Sequence, residues 1–235
     1  MMGHGHAVMG AAAWVTLTSP YLVGVGGLPS GQVAVGAIVT AGAALLPDAD
    51  HHAATISRSL PPVSSLLVRG VGVVAGGHRQ GTHSLIGIAA FTALAALLVI
   101  PRIAIAGNPS FQVGSWVLVL LLVAFAAKSL RLTRGWISCW AVAVATATGL
   151  AWFAPASLWW LPASVAVGVT SHILGDLLTE QGVALWWPWK QDRVALPLLG
   201  TAGSMREWVL VTGLYAYLLW FGVRPAVPSR LLEII

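Results

Sequence analysis

The sequence predicts an all-α fold, a polytopic bundle of about five to seven membrane-spanning helices with a metal site at one membrane rim. Three observations lead there. Charged residues make up 8% of the 235-residue chain, against roughly 25% in soluble domains. The apolar set reaches 57% without counting glycine, so most of the surface must face lipid rather than water. These apolar residues also fall into runs of about 17 or more, the length that crosses a hydrocarbon core. Disordered, coiled-coil and disulfide-framework architectures fail on the same composition. The single cysteine, Cys139, can form no intrachain bridge.

In chain order, 7–25 and 32–47 come first, rich in Ala, Gly and Val and short for a full crossing. They suit a tilted or protein-shielded hairpin, because small residues let helix backbones approach closely. The stretches 84–101, 113–130, 136–154, 157–178 and 207–222 read as spans. No solenoid repeat or low-complexity linker divides the chain, so 1–235 reads as a single domain. No Lys or Arg precedes the first apolar stretch, so no cleavable signal is evident and the first span is expected to stay.

If these segments cross alternately, residues 1–6, 48–83, 128–135 and 179–206 share one side. That side holds nine basic residues: Arg58, Arg69, Arg79, Lys128, Arg131, Arg134, Lys190, Arg193 and Arg206. The other side holds three, Arg102, Arg224 and Arg230. The positive-inside rule makes the nine-residue side cytoplasmic and places the C-terminus opposite, in a multi-pass protein of the inner or plasma membrane. The net charge of +5 is thereby a topology signal. With no arginine-rich run, nucleic acid is not the expected partner. Trp186, Trp187 and Trp189 on one side, and Trp159 and Trp160 on the other, suit interfacial belts.

The chemistry gathers on one face. His4, His6, Asp48, Asp50, His51, His52, His78, His83, His172 and Asp176 all fall at cytoplasmic span ends or in the adjoining loop, whereas the opposite side carries no histidine and only one acid, Glu233. Ionisable residues near a bilayer are costly and mark a functional site by default. His172 and Asp176 stand i, i+4 on one helix face, where they either bind metal or hydrogen-bond each other. In Leu46-Pro47-Asp48-Ala49-Asp50-His51-His52, proline ends the preceding helical pattern and frees the carboxylates to converge. Carboxylates beside imidazoles suit zinc, manganese or iron.

In Gly77-His78-Arg79-Gln80-Gly81-Thr82-His83-Ser84, a turn at Gly81 would bring the two histidines together, and Thr82 or Ser84 would cap the next helix. Arg79 offers a forked donor array for phosphate or carboxylate oxygens, or is simply a topology residue.

Together these stretches resemble the YdjM-type family of inner-membrane metal-dependent hydrolases, also described as LexA-binding. The resemblance rests on Gly5-His6-Ala7, Leu46-Pro47-Asp48-Ala49-Asp50-His51, His78-Arg79-Gln80-Gly81-Thr82-His83-Ser84 and Ser171-His172-Ile173-Leu174-Gly175-Asp176-Leu177-Leu178-Thr179. It continues through Gly182-Val183-Ala184-Leu185-Trp186-Trp187-Pro188, Leu196-Pro197-Leu198 and Gly203-Ser204 with Glu207. It implies a helical, metal-dependent hydrolase related in site pattern to zinc phospholipase C and P1 nuclease. It implies no particular substrate, and no residue of this chain bears on the LexA association. Gln80 departs from the family where glycine is common, and Glu180 where proline often follows the threonine.

Other hydrolase signatures are missing: no HExxH, no GxSxG, and no lysine upstream of the histidine motifs, the first being Lys128. A divalent-metal transporter or sensor would use the same ligands, but such sites usually sit at the midplane on broken helices with internal repeats. A purely structural protein whose rim histidines bind headgroups is the third class.

The expectation is a phosphoester hydrolase acting on a lipid or other membrane-associated substrate. Its metal ligands would be His6, Asp48, Asp50, His51, His78, His83, His172 and Asp176 around one to three ions, zinc first. Asp48 or Asp50 would bridge the ions and orient water, and Arg79 would take the substrate's anionic oxygens. Glu207 or Glu180 would act from behind.

Overall fold

The computed structural model describes residues 1–153 and 155–223. Arg224, Arg230 and Glu233, and with them the side taken by the C-terminus, lie outside the described residues. Within those residues the chain forms eight α-helices and one short hairpin.

Helices α1 (Gly3–Thr18) and α2 (Ser30–Ala43) make the expected hairpin, and α7 (Leu161–Leu177) packs against both. Small residues set the distance. A Cβ on Gly10 of α1 would sit 2.9 Å from the Thr40 carbonyl, and one on Gly168 of α7 would sit 2.7 Å from the same oxygen. The end of α2 is therefore gripped from both sides, which fixes where the following Pro47–Asp50 segment emerges. Beyond Ala43 the helix gives way to a 3-10 turn at Leu46–Asp50, as Pro47 dictates.

Around this core, α5 (Val113–Ser129) packs on α2, α6 (Trp136–Phe153) on α5, α4 (Leu85–Leu98) on α7, and α8 (Met205–Val223) on α1. Val39, Leu122, Val165 and Val169 are fully or almost fully buried between them. Large apolar side chains such as Ile137 and Phe153 are almost wholly exposed on α6, as expected of a surface that meets lipid.

Among the described residues three helical stretches are long and apolar enough to cross a membrane: Ser30–Asp50, Trp136–Phe153 and Leu158–Leu177. The first is the segment that looked short in the sequence; the turn through Asp50 lengthens it to 21 residues. The reverse holds at 84–101, where α4 has 14 residues and reaches only about 21 Å at 1.5 Å per residue.

Two elements differ from the all-helical loop-and-span reading. Beyond α4, Ile103–Ile105 and Asn108–Phe111 pair antiparallel as β1 and β2 about a turn at Gly107, whose φ is +77°. Within 48–83, expected to be loop, Val63–Val74 forms helix α3, too short to register as a span. Its Val63, Leu66, Leu67, Val73 and Val74 are exposed on one face.

Candidate metal centre

The site lies where the ends of α1, α2 and α7 meet the loop that leads into α4. After α3, Gly76 and Gly77 take positive φ values of 76° and 109°, and Arg79 follows at 65°. The reversal is thus made before Gly81, not at it. Gly81 serves packing instead: a Cβ there would press on Ala75 and on the Trp187 ring. His78 and His83 do come together, with ring centroids 5.3 Å apart. Ser84 caps α4 by accepting from the Gly87 amide at 3.1 Å, while Thr82 turns inward.

The segment after α7 covers this loop. Ala184 donates its amide to the Arg79 carbonyl (3.1 Å) and Leu85 donates to that of Leu185 (3.1 Å). Arg193 donates to the His78 carbonyl at 3.2 Å and is otherwise exposed.

Four donor atoms converge. His83 Nε2 lies 3.1 Å from His172 Nε2. Asp48 Oδ1 is 3.8 Å from each of these nitrogens, and Asp176 Oδ2 is 3.7 Å from each. Around a four-coordinate ion with bonds of about 2.0–2.1 Å, neighbouring donors stand roughly 3.4 Å apart, so these separations suit one shared cation.

The protonation pattern agrees. His172 Nδ1 donates to the Ala44 carbonyl at 2.6 Å, which leaves Nε2 as a lone-pair donor. His83 Nδ1 is held by Thr82 Oγ1 at 3.0 Å, which itself donates to Asp50 Oδ2 at 2.6 Å. The i, i+4 pair His172–Asp176 does not close a hydrogen bond of its own; both turn to the common centre.

Asp50 organises the loop. Its side chain is fully buried; it accepts from His78 Nδ1 (2.8 Å), the Arg79 amide (3.2 Å) and Thr82. On the other side His6 stacks on His172, with centroids 3.6 Å apart, and its Nε2 is 3.2 Å from Asp176 Oδ1. The buried His6 Nδ1 has no hydrogen-bond partner. Among the described residues two groups each offer donor atoms within 4.8 Å of one another: His6, His172 and Asp176, and Asp48, His78 and His83. Carboxylates and imidazoles of this kind, buried in the first group and partly buried in the second, fit a divalent transition ion.

Electrostatics at the loop favours a cation. Burial alone would lower the His83 pKa, but the carboxylates of Asp48 and Asp50 outweigh it and raise it to about 9. Partial burial, then the neighbouring His78 and His52 imidazoles, push His51 below its ordinary value. His51 lies at the margin, 4.5 Å from His78 by ring centroid.

Other expected residues fall differently. Arg79 is 5% exposed, and its fork is engaged with Asp176 Oδ1 (3.0 Å), Thr179 Oγ1 (3.1 Å) and the Gly182 carbonyl (3.3 Å). It braces Asp176 rather than facing solvent. Glu207 is buried and accepts from the Met2 and Gly203 amides, both at 2.8 Å, tying the start of α1 to α8. Glu180 is exposed, and His4 packs on Trp208 away from the centre. The sequence reading missed Thr82 as the link between Asp50 and His83, and Arg193 as the exposed guanidinium at the loop. Nothing distinguished Arg193 from the other topology residues in the chain.

Fold and site together define a helical membrane protein with a buried His/Asp centre able to hold metal. The chain belongs to the YdjM inner membrane protein family, whose profile matches residues 1–228. No curated protein and no solved structure matches it.

Proposed function

We propose that this protein is a multi-pass, membrane-bound hydrolase that uses one or more divalent metal ions, zinc foremost, to cleave a phosphoester in a lipid or other membrane-associated substrate. Its site would lie at the cytoplasmic face. One observation carries the reading: two imidazole Nε2 atoms meet at 3.1 Å while each ring's Nδ1 is already held. Such a pair calls for a shared positive charge, a proton or a metal.

His83, His172, Asp48 and Asp176 would hold the first ion, and His78 with Asp48 would extend the site toward a second. A bound ion supplies Lewis acidity, which acidifies water toward neutral pKa and offsets charge on a phosphoryl oxygen. Asp48, with a side-chain exposure of 24%, is the most accessible of the four converging donors. It would orient the attacking water, and its exposure supports that role. Asp50 and Thr82 fix the His83 ring, and Arg79 donates to Asp176 Oδ1 and orients it. Arg193, exposed beside His78, replaces Arg79 as the group that meets anionic oxygens.

The cytoplasmic assignment is supported by the basic residues of the histidine loop and its cover, among them Arg58, Arg69, Lys190 and Arg193.

The test is a screen of phospholipids and soluble phosphoesters in lipid nanodiscs, comparing the wild type with a His172→Ala, Asp176→Ala double variant. Turnover in the wild type that the variant loses supports the reading. Equal turnover by both removes the pair from catalysis. Metal flux into liposomes with no ester turned over would make the protein a transporter.

A further inference from the structure

An apolar groove of about 600 Å³ runs between α3 and α4. Its walls are Leu66 and Val74 of α3, Ile86 and Phe91 of α4, and the Trp187 ring. The volume lies within the ~300–1,000 Å³ of sites that bury a small molecule, and almost no polar surface lines it.

Three features set this groove apart from ordinary lipid-facing surface. It shares residues with the centre: Thr82 lines it and donates to Asp50, and Gly81 lines it one residue before. A Cβ added to Gly72 of α3 would lie 3.0 Å from the Asp50 carbonyl, so the helix that forms the wall also rests on the ligand turn. Exposed Arg193, in the segment that covers this loop, donates to the His78 carbonyl and so puts positive charge beside the loop.

We propose that the groove holds one acyl chain of a membrane phospholipid whose phosphate lies at the metal centre. The short helix α3, with its exposed apolar face, is the wall along which the chain enters. Moving a chain from bilayer to groove exchanges one apolar surroundings for another, so the lipid reaches the site without its chain meeting water. The gain is in position: a seated chain holds the phosphate over Asp48, His83 and Arg193. The fate of that phosphate rests on the hydrolase reading; the seating of the chain does not.

The test uses the full-length protein in phosphatidylcholine nanodiscs doped with a phospholipid carrying a diazirine midway along one acyl chain. After photolysis, labelled peptides are mapped in the wild type and in two groove-filling variants, Ala90→Trp and Gly70→Leu. Ala90 is exposed and a Cβ on Gly70 meets nothing within 4 Å, so neither change disturbs the core. Gly149→Leu, on the open face of α6, is the control. Bound metal per chain is measured on every variant to report an intact site.

The expected result is labelling concentrated on α3 and α4, reduced about tenfold by either groove variant and unchanged by Gly149→Leu. Labelling spread equally over α3, α4 and α6, or unaffected by both groove variants, would overturn the proposal and leave ordinary boundary lipid. Groove labelling in a protein that turns over no ester would retain the seat and discard the hydrolase. Turnover of a lipid ester with no groove labelling would do the reverse.

Discussion

His172 Nδ1 donates to the carbonyl of Ala44 at 2.6 Å. This single bond from α7 to the end of α2 sets the geometry of the site. It fixes the imidazole's tautomer and aims Nε2 at His83, Asp48 and Asp176. Because Gly10 and Gly168 grip the end of α2, the carbonyl that orients the ring is itself held in place.

Metal binding should depend steeply on pH. The His83 pKa is raised to about 9, so at neutral pH the metal-free ring carries a proton that an ion must displace. Affinity should therefore rise about tenfold per pH unit and level off above pH 9, as expected for release of one proton. Calorimetry with zinc in buffers of different ionisation enthalpy measures the protons released. Affinity that falls with rising pH across this window would contradict a protonated His83 as the competitor.

Thr82→Val keeps the shape of the side chain but removes the hydroxyl that links Asp50 to His83. Losing such an outer partner should weaken metal binding about 10–100-fold with little change in melting temperature. An unchanged affinity would remove Thr82 from the site.

Arg79 of the loop and Arg193 of the segment that covers it should separate cleanly. Arg79→Met takes the guanidinium from Asp176, Thr179 and the Gly182 carbonyl, leaving Asp176 with the Met1 ammonium and His6. Breaking a buried ion pair costs roughly 3–5 kcal/mol, so the protein should melt below the wild type. Arg193→Ala should melt normally and, if an ester is turned over, raise KM for anionic substrates. The opposite pattern would make Arg79 the substrate-facing residue and Arg193 the brace.

Gly168→Ala would drive a methyl against the Thr40 carbonyl and the Ala43 side chain. Overpacking of this kind costs about 1–3 kcal/mol, visible as a lowered melting temperature in detergent. Gly149→Ala, with open space around it, should melt as the wild type does.

The topology has its own measurement. Gln80→Cys in intact cells should resist an impermeant maleimide until the membrane is opened, while buried Cys139 gives little background. Labelling from outside would place the site on the other face.

The helical class and the clustering of ionisable residues were legible because a bilayer penalises charge so heavily that each His and Asp in an apolar chain stands out. The spans were less so: among the described residues only 32–47, 136–154 and 157–178 meet helices long and apolar enough to cross, whereas α1, α4, α5 and α8 do not register. His6, Asp48, Asp50, His78, His83, His172 and Asp176 meet in space as their common side predicts. What was not legible depended on tertiary geometry. Arg79 has the same residue type as Arg193, and only the fold shows one buried on Asp176 and the other exposed. Helix α3 escaped because 12 residues cannot span, although its apolar face is plain once the helix is drawn. The length of the second span was hidden because Pro47 signals the end of an α-helix but not the 3-10 turn that continues it to Asp50.

The most direct test is elemental analysis of protein purified without chelators, wild type beside His172→Ala. At least one equivalent of zinc, manganese or iron is expected per wild-type chain, and its loss from a variant that still folds. A wild-type protein holding no stoichiometric transition metal would contradict the metal centre.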